Sequence, residues 1–234
     1  MFNVEAIAEA LPVYGTGLVT TLKLLFAALA IGLSVAIPLA VMRNAQSRWL
    51  RWPVMAFTYV IRGTPLLVQL FIIYYGLAQF EAVRESVFWS LLSSAWFCAM
   101  AAFAINTAAY TTEMIAGSMR ALPHGEIEAA RSLGLSASKI TMRIVLPSAL
   151  RRTIPAYSNE VIMMLHGTSL ASVVTLMDLT GAAREMYART YLPFEAFITV
   201  GLIYLCLTFV LVFLFHRAEA RFLAHLKPRK TVAS

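Results

Sequence analysis

The sequence is short of charge. Only 13% of its 234 residues are Asp, Glu, Lys or Arg, while 60% are hydrophobic. A soluble domain carries about a quarter charged residues. With a mean hydropathy of +0.74, one water-soluble domain of this length cannot hide its apolar surface. Disorder is excluded too, because disordered chains are poor in apolar residues. Cysteine is nearly absent. Cys98 and Cys206 both fall in apolar runs, where small buried residues are expected rather than a disulfide or a metal site. No His/Cys/Asp/Glu cluster has metal-ligand spacing, and no GxSxG nucleophile motif occurs. The stretch Gly134-Leu-Ser-Ala-Ser-Lys139 lacks the Gly-Lys-Ser/Thr ending of a phosphate-cradling loop. The chain is therefore expected to be no enzyme, to hold no cofactor or metal, and to hydrolyse no ATP by itself. The class that remains is an integral membrane protein.

What is present is apolar length. Five stretches of 17 or more residues lack Asp, Glu, Lys and Arg: 24–42, 63–80, 86–112, 161–177 and 196–215. A helix crossing the hydrocarbon core needs about 20 residues, and barrel strands would alternate over about ten. The fourth stretch contains His166, Gly167, Thr168, Ser169 and Ser172, so it is expected inside the protein rather than against lipid. The loops at 43–52, 81–87 and 179–193 read as short. Glu5 and Glu9 stand where a secretory signal would be basic, and the first apolar run is too long for a signal core, so the first span is expected to be retained. Of the 19 Lys and Arg, 14 fall at 43–51, 120–152 and 217–230, against 3 on the opposite side, Arg84, Arg184 and Arg189. That bias predicts an outside N-terminus and a cytoplasmic C-terminus. The net charge of +7 then reflects orientation and attraction to anionic lipid, with no nucleic-acid partner. The expectation is one all-α integral membrane domain over 1–234 with five transmembrane helices.

One loop is too elaborate for a linker. In the segment 117–154, Pro123-His124-Gly125 ends the third span. Glu126 to Leu133 reads as a short helix, with Ile127, Ala130 and Leu133 on one face. Gly134 fits the left-handed position after a helix. Ser136 can cap a second helix through about Leu146, and Pro147 is expected to stop it. The residues alone leave two readings open: an amphipathic hairpin resting on the membrane, or a docking surface for a cytoplasmic partner. Small Ala129 and Ala130 favour docking, because they permit close approach.

The spacing here carries a resemblance. Glu128-Ala129-Ala130, three residues, Gly134, nine residues, Ile144, one residue, Leu146-Pro147 resembles the EAA motif of ABC importer permeases. A second match is Arg62-Gly-Thr64-Pro-Leu-Leu-Val-Gln69, which resembles the second span of polar amino acid permeases. With Asn106-Thr107, Tyr110-Thr-Thr-Glu113 and Pro155-Ala-Tyr-Ser-Asn159-Glu160-Val161, the chain looks most like the M-type permease subunits of histidine/lysine/arginine/ornithine transporters, over roughly residues 14 to 226. The resemblance implies a type I ABC importer fold in a bacterial inner (cytoplasmic) membrane. It implies cytoplasmic coupling helices, in which Glu128, Ala129, Ala130, Gly134, Ile144, Leu146 and Pro147 meet the ATPase. It also implies a second homologous permease subunit, two ATP-binding subunits carrying ATP and Mg, and a periplasmic amino-acid-binding protein. Five helices are few for a complete pore, which agrees with a partner permease.

Ionisable and amide groups inside spans are functional candidates by default. Glu113 shares a helical face with Asn106 and Tyr110. Glu160 and Asn159 interrupt the fourth span, and Arg62, Thr64 and Gln69 surround the helix-breaking Pro65. These are the candidate substrate path, with Glu160 drawing cationic substrates. Structural alternatives stand beside it: Glu160 paired with Arg62 or with the partner subunit, Glu113 paired with Arg120 near the cytoplasmic end, and Arg62 snorkelling to the interface. Asp178 and Glu195 are expected to reach water. The expected function is the permease of an ATP-driven importer of basic amino acids. The alternatives are an importer for another polar amino acid such as glutamine, a secondary transporter, and a membrane enzyme.

Overall fold

The computed structural model describes residues 3–223. Lys227, Arg229 and Lys230, counted above among the cytoplasmic cations, lie outside the described residues. Every regular element among the described residues is helical. In chain order these are α1 (Val4–Arg43), α2 (Arg48–Arg62), α3 (Leu66–Phe71), α4 (Glu81–Arg84), α5 (Trp89–Leu92), α6 (Ala95–Arg120), α7 (His124–Ser132), α8 (Ala137–Ile140), α9 (Leu146–Gly167), α10 (Leu179–Thr190) and α11 (Pro193–Phe222).

The two longest helices solve different packing problems. In α1, 40 residues make a rod about 60 Å long. It runs past three buried clusters: Ala10 and Tyr14 in the first, Leu24, Leu25 and Ala28 in the second, Ala36 and Ala40 in the third. Its chief neighbour is α6. Ala99, Ala102, Ala108, Ala109 and Ala116 of α6 are buried. Small residues let helix backbones approach where lipid supplies no hydrophobic drive between helices. Gly32 of α1 shows how close the approach is, since a Cβ there would stand 2.2 Å from Thr107 Cγ2. By contrast only 6% of the apolar window of α11 is buried, against 39% for α1. Its Leu202, Phe209, Phe213 and Leu214 are exposed, as a helix facing hydrocarbon requires.

By length and apolar composition, two helices among the described residues fit a bilayer, α1 and α11, and up to four if each bent pair counts as one span. The 26-residue α6 is about 39 Å long. It carries Asn106, Tyr110, Thr111, Thr112 and Glu113 on faces turned to other helices, so its length rather than its hydropathy marks it.

Several local expectations are corrected. The apolar stretch 63–80 is not one straight helix: α2 and the helical run Leu66–Gln79 meet at 102°. Pro65 lacks the backbone N–H that would continue the ladder, and Gln69 compensates. Its Nε2 lies 2.7 Å from Ile61 O and 2.8 Å from Thr64 Oγ1, supplying donors at the break. The loop read at 43–52 shrinks because α2 begins at Arg48. The stretch 86–112 becomes helical in earnest only at Ala95. Pro147 does not end a helix. It sits in the first turn of α9, where a missing N–H is tolerated, after a π turn at Thr141–Val145. The loop read at 179–193 is mostly α10, capped by Asp178. That carboxylate accepts from Gly181 N at 2.9 Å and Thr180 N at 3.2 Å, and Tyr204 Oη donates to it at 3.4 Å. Asp178 is thus fully buried, and Glu195, which accepts from Asn3 N at 3.3 Å, is buried as well. Neither reaches water, because each satisfies N–H groups at a helix start.

Candidate functional site

At the 102° break, the ends of α2 and α3 border a cavity of about 550 Å³ with α6 and α9. Arg62, Thr64, Asn106, Tyr110, Glu160 and His166 line it. Three separate sequence motifs therefore converge: Arg62 and Thr64 from the break, Asn106 and Tyr110 from the middle of α6, Glu160 and His166 from α9. Met163, Met164 and Leu170 supply apolar wall.

The polar groups are held, not loose. Asn106 Nδ2 donates to Gln69 Oε1 at 3.0 Å, so the amide that repairs the break also fixes a cavity residue. The Arg62 guanidinium stands 5.2 Å from the centre of the Tyr110 ring, within cation–π range. Arg62 is itself exposed. His166 Nε2 lies 3.2 Å from Thr208 Oγ1, and its ring meets Tyr204 edge-on. Glu160 is buried at the cavity wall and forms no ion pair within 4 Å among the described residues. Thr107 and the charge of Arg62 are its polar surroundings. A carboxylate, a guanidinium and an amide in one partly apolar cavity can hold a zwitterion at both ends.

Three expected path residues lie elsewhere, the first being Gln69, which is buried at the break and does not line the cavity. Asn159 is exposed and does not line the cavity. Glu113 sits one turn beyond Tyr110 on α6, outside the cavity, where Arg43 Nε donates to it at 2.7 Å and Thr58 Oγ1 at 2.8 Å. Arg120 Nη2 is 4.0 Å from its other oxygen, so the expected pairing with Arg120 is present but secondary. Arg43 and Thr58 escaped the reading of the sequence. The available signals were the four-residue spacing of Thr58 and Arg62 on one helix and the placement of Arg43 at the edge of a charge-free run.

The segment 117–154 divides its motif between two faces. Ala130 is buried, and Ile127, Leu135, Ile144 and Leu146 pack around it on the cluster containing Ala36, Ile115 and Ala149. Glu128 and Ala129 face outward, and Leu133 is 81% exposed. Gly134 has φ +74°. Leu135 N donates to Ala130 O at 3.2 Å and Gly134 N to Arg131 O at 2.9 Å, the paired bonds of a Schellman ending. Pro147 follows in the first turn of α9. Of the expected apolar face, Ile127 and Ala130 are used inside the molecule, whereas Leu133 turns away from it. The outer face of α7 is small and polar, which suits a protein partner better than a lipid surface. Arg152 of α9 reaches Glu126 of α7 at 4.0 Å, tying the helix of Glu160 to this segment.

Residues 28–223 match the family model described as binding-protein-dependent transport system inner membrane component. The chain is 47% identical to the histidine/lysine/arginine/ornithine transport system permease protein HisM of Escherichia coli (strain K12), over 92% of this chain and 91% of that one. It is 44% identical to the nopaline transport system permease protein NocM of Agrobacterium fabrum (strain C58 / ATCC 33970), over 97% and 95%. A crystal structure of an amino acid ABC transporter with histidines superposes with a TM-score of 0.84 at 33% identity, covering 94% of this chain and 99% of that chain.

Proposed function

Because the chain belongs to the family of binding-protein-dependent transport system inner membrane components, we propose that it carries basic amino acids through the cavity at the α2–α3 break. It is a non-enzymatic permease subunit of an amino acid ABC importer, with the type I importer fold, and is seated in the inner membrane. The substrate class, the residues and the assembly are our reading.

The observation that carries it is the convergence of Glu160 and Arg62 on one cavity with Asn106, whose amide is bonded to Gln69. Arg62 meets the substrate α-carboxylate with its planar fork of donors. Glu160 meets the cationic side chain, whose charge offsets the cost of a buried carboxylate. Arginine, lysine, histidine and ornithine all present this pair of charges. The five spans are α1, the bent α2–α3 pair, α6, α9 with its 3₁₀ continuation, and α11, with the N-terminus outside. On the cytoplasmic side Glu128, Ala129 and Gly134 present α7 to an ATPase that carries ATP and Mg, while Ala130, Ile144, Leu146 and Pro147 anchor that surface to the membrane helices. A second, similar permease, two ATPase copies and a periplasmic binding protein complete the importer.

Copurification from the native membrane tests the assembly. An ATPase and a sister permease are expected to be recovered with the chain, and arginine uptake by the complex is expected to require ATP. Uptake by the lone chain without ATP would identify a secondary transporter instead. Competition for uptake by glutamine, with none by lysine or ornithine, would assign another polar amino acid.

A further inference from the structure

Two contacts join α2 and α6, one helical turn apart. At the cavity, Arg62 of α2 lies over Tyr110 of α6. One turn away, Thr58 of α2 donates to Glu113 of α6 at 2.8 Å. The helices run antiparallel, so the spacing of four on α2 and three on α6 brings each pair into register. Glu113 also receives Arg43 Nε at 2.7 Å, which brings in the last residue of α1. Arg120, 4.0 Å from the second carboxylate oxygen, donates from Nη1 to Asn44 Oδ1 at 3.1 Å. Asn44 returns Nδ2 to Ala116 O and to Ala40 O, each at 3.2 Å. Asn44 and Arg120 then share the wall of a second cleft, of about 590 Å³, with Ile127 and Arg131 of α7. A set of contacts thus runs from the cavity, through one carboxylate, to Asn44, whose Nδ2 also reaches Met119 Sδ at 3.4 Å, and Met119 belongs to the cluster on which Ile127 of α7 packs.

We propose that Glu113 is a positioning residue for coupling, one that holds α1, α2 and α6 in a single arrangement and so transmits occupancy of the cavity to α7. The role rests on the transporter reading above. Arg43 and Thr58 both bond to Oε1, Arg120 stands 4.0 Å from Oε2, and the carboxylate lies off the cavity wall, so its bonds serve the helices rather than a substrate. It does have what a two-state contact needs: charge-assisted bonds to two other helices, which are kept or lost together when those helices shift. Arg43 is the close cation at Oε1, and Arg120 is the distant one at Oε2. Spatial continuity alone does not establish coupling, so the test is a measurement of coupling itself.

The complex of this chain with its sister permease and ATPase is reconstituted in liposomes. ATPase is measured with and without arginine-loaded binding protein, per assembled complex, beside arginine uptake. In Glu113→Gln the ratio of stimulated to basal ATPase is expected to fall at least about fivefold, with uptake per ATP falling in parallel. The arginine KM is expected to stay within about twofold of wild type. A merely structural role would lower the amount of complex and leave the ratio unchanged; an unchanged ratio overturns the proposal. A raised KM with an intact ratio also overturns it, by returning Glu113 to the substrate path. If Glu113→Gln fails to assemble, Arg43→Gln is read in the same way, and failure of both to assemble assigns the cluster to folding alone. A wild-type complex with neither stimulation nor uptake would refute the transporter reading itself, before any substitution is made.

Discussion

The cavity at the α2–α3 break and the ion-paired cluster one turn from it contain one carboxylate each, and the two are provided for differently. Glu113 receives Arg43 and Thr58 at 2.7 and 2.8 Å. Glu160 is buried on the wall of an open cavity with no ion pair within 4 Å among the described residues. A buried carboxylate without a partner is costly. Where the fold completes the set of partners, as at Glu113, the group serves the fold and its movements. Where the fold leaves the set incomplete beside a cavity, as at Glu160, the missing partner is expected to arrive with the substrate.

This contrast can be broken by substitutions that should affect only one side of it. The largest effect is expected at Arg62→Gln, which removes the cation proposed to face the substrate carboxylate. Hydrogen bonds to charged groups contribute about 1.5–3 kcal/mol, so kcat/KM for arginine uptake should fall roughly 10- to 150-fold while basal ATPase is kept. Loss of basal ATPase alone would move Arg62 to the coupling side. Next is Gly134→Leu. A non-glycine residue at φ +74° costs about 1–2 kcal/mol, and it disturbs the turn that presents α7. Weaker ATPase retention during copurification is expected with unchanged substrate KM; unaltered assembly together with unaltered stimulation would separate Gly134 from the interface. Asn106→Ala should cost about 1 kcal/mol, read as a KM raised about fivefold. It removes a cavity amide and releases Gln69, so thermal stability should fall slightly as well. The smallest effect is expected at Phe209→Leu on the exposed face of α11, within about 0.5 kcal/mol in thermal unfolding and with no change in uptake.

Much of the site was legible because the pattern that marks it is local. Arg62, Thr64, Asn106 and Glu160 are polar exceptions in apolar runs, and the chain brings them to one cavity. Gly134 was legible because a left-handed turn after a helix strongly favours glycine. What was not legible depended on caps and contacts, some local and some distant in sequence, that charge-free runs do not mark. Asp178 and Glu195 look like water-facing ends until the N–H groups of Thr180 and Gly181, the hydroxyl of Tyr204 and the N–H of Asn3 are brought to them. The stretch over α10 reads as a loop because Arg184, Glu185 and Arg189 interrupt its apolar pattern, yet Leu179, Ala182, Ala183 and Met186 form its buried face. Pro147 carries two meanings, stop and first turn, and the preceding π turn decides between them. Asn159, next to Glu160, falls on the exposed side of α9 because adjacent helical residues point about 100° apart.

The central claim is that Glu160 supplies the charge complement of a cationic amino acid inside the membrane. The most direct measurement is ATP-driven uptake of labelled arginine by the reconstituted complex, comparing Glu160 with Glu160→Gln at equal ATPase content. The account predicts a loss of arginine uptake of at least about tenfold, the equivalent of about 1.4 kcal/mol, with basal ATP hydrolysis retained. Arginine uptake by Glu160→Gln at the wild-type rate and KM would contradict it.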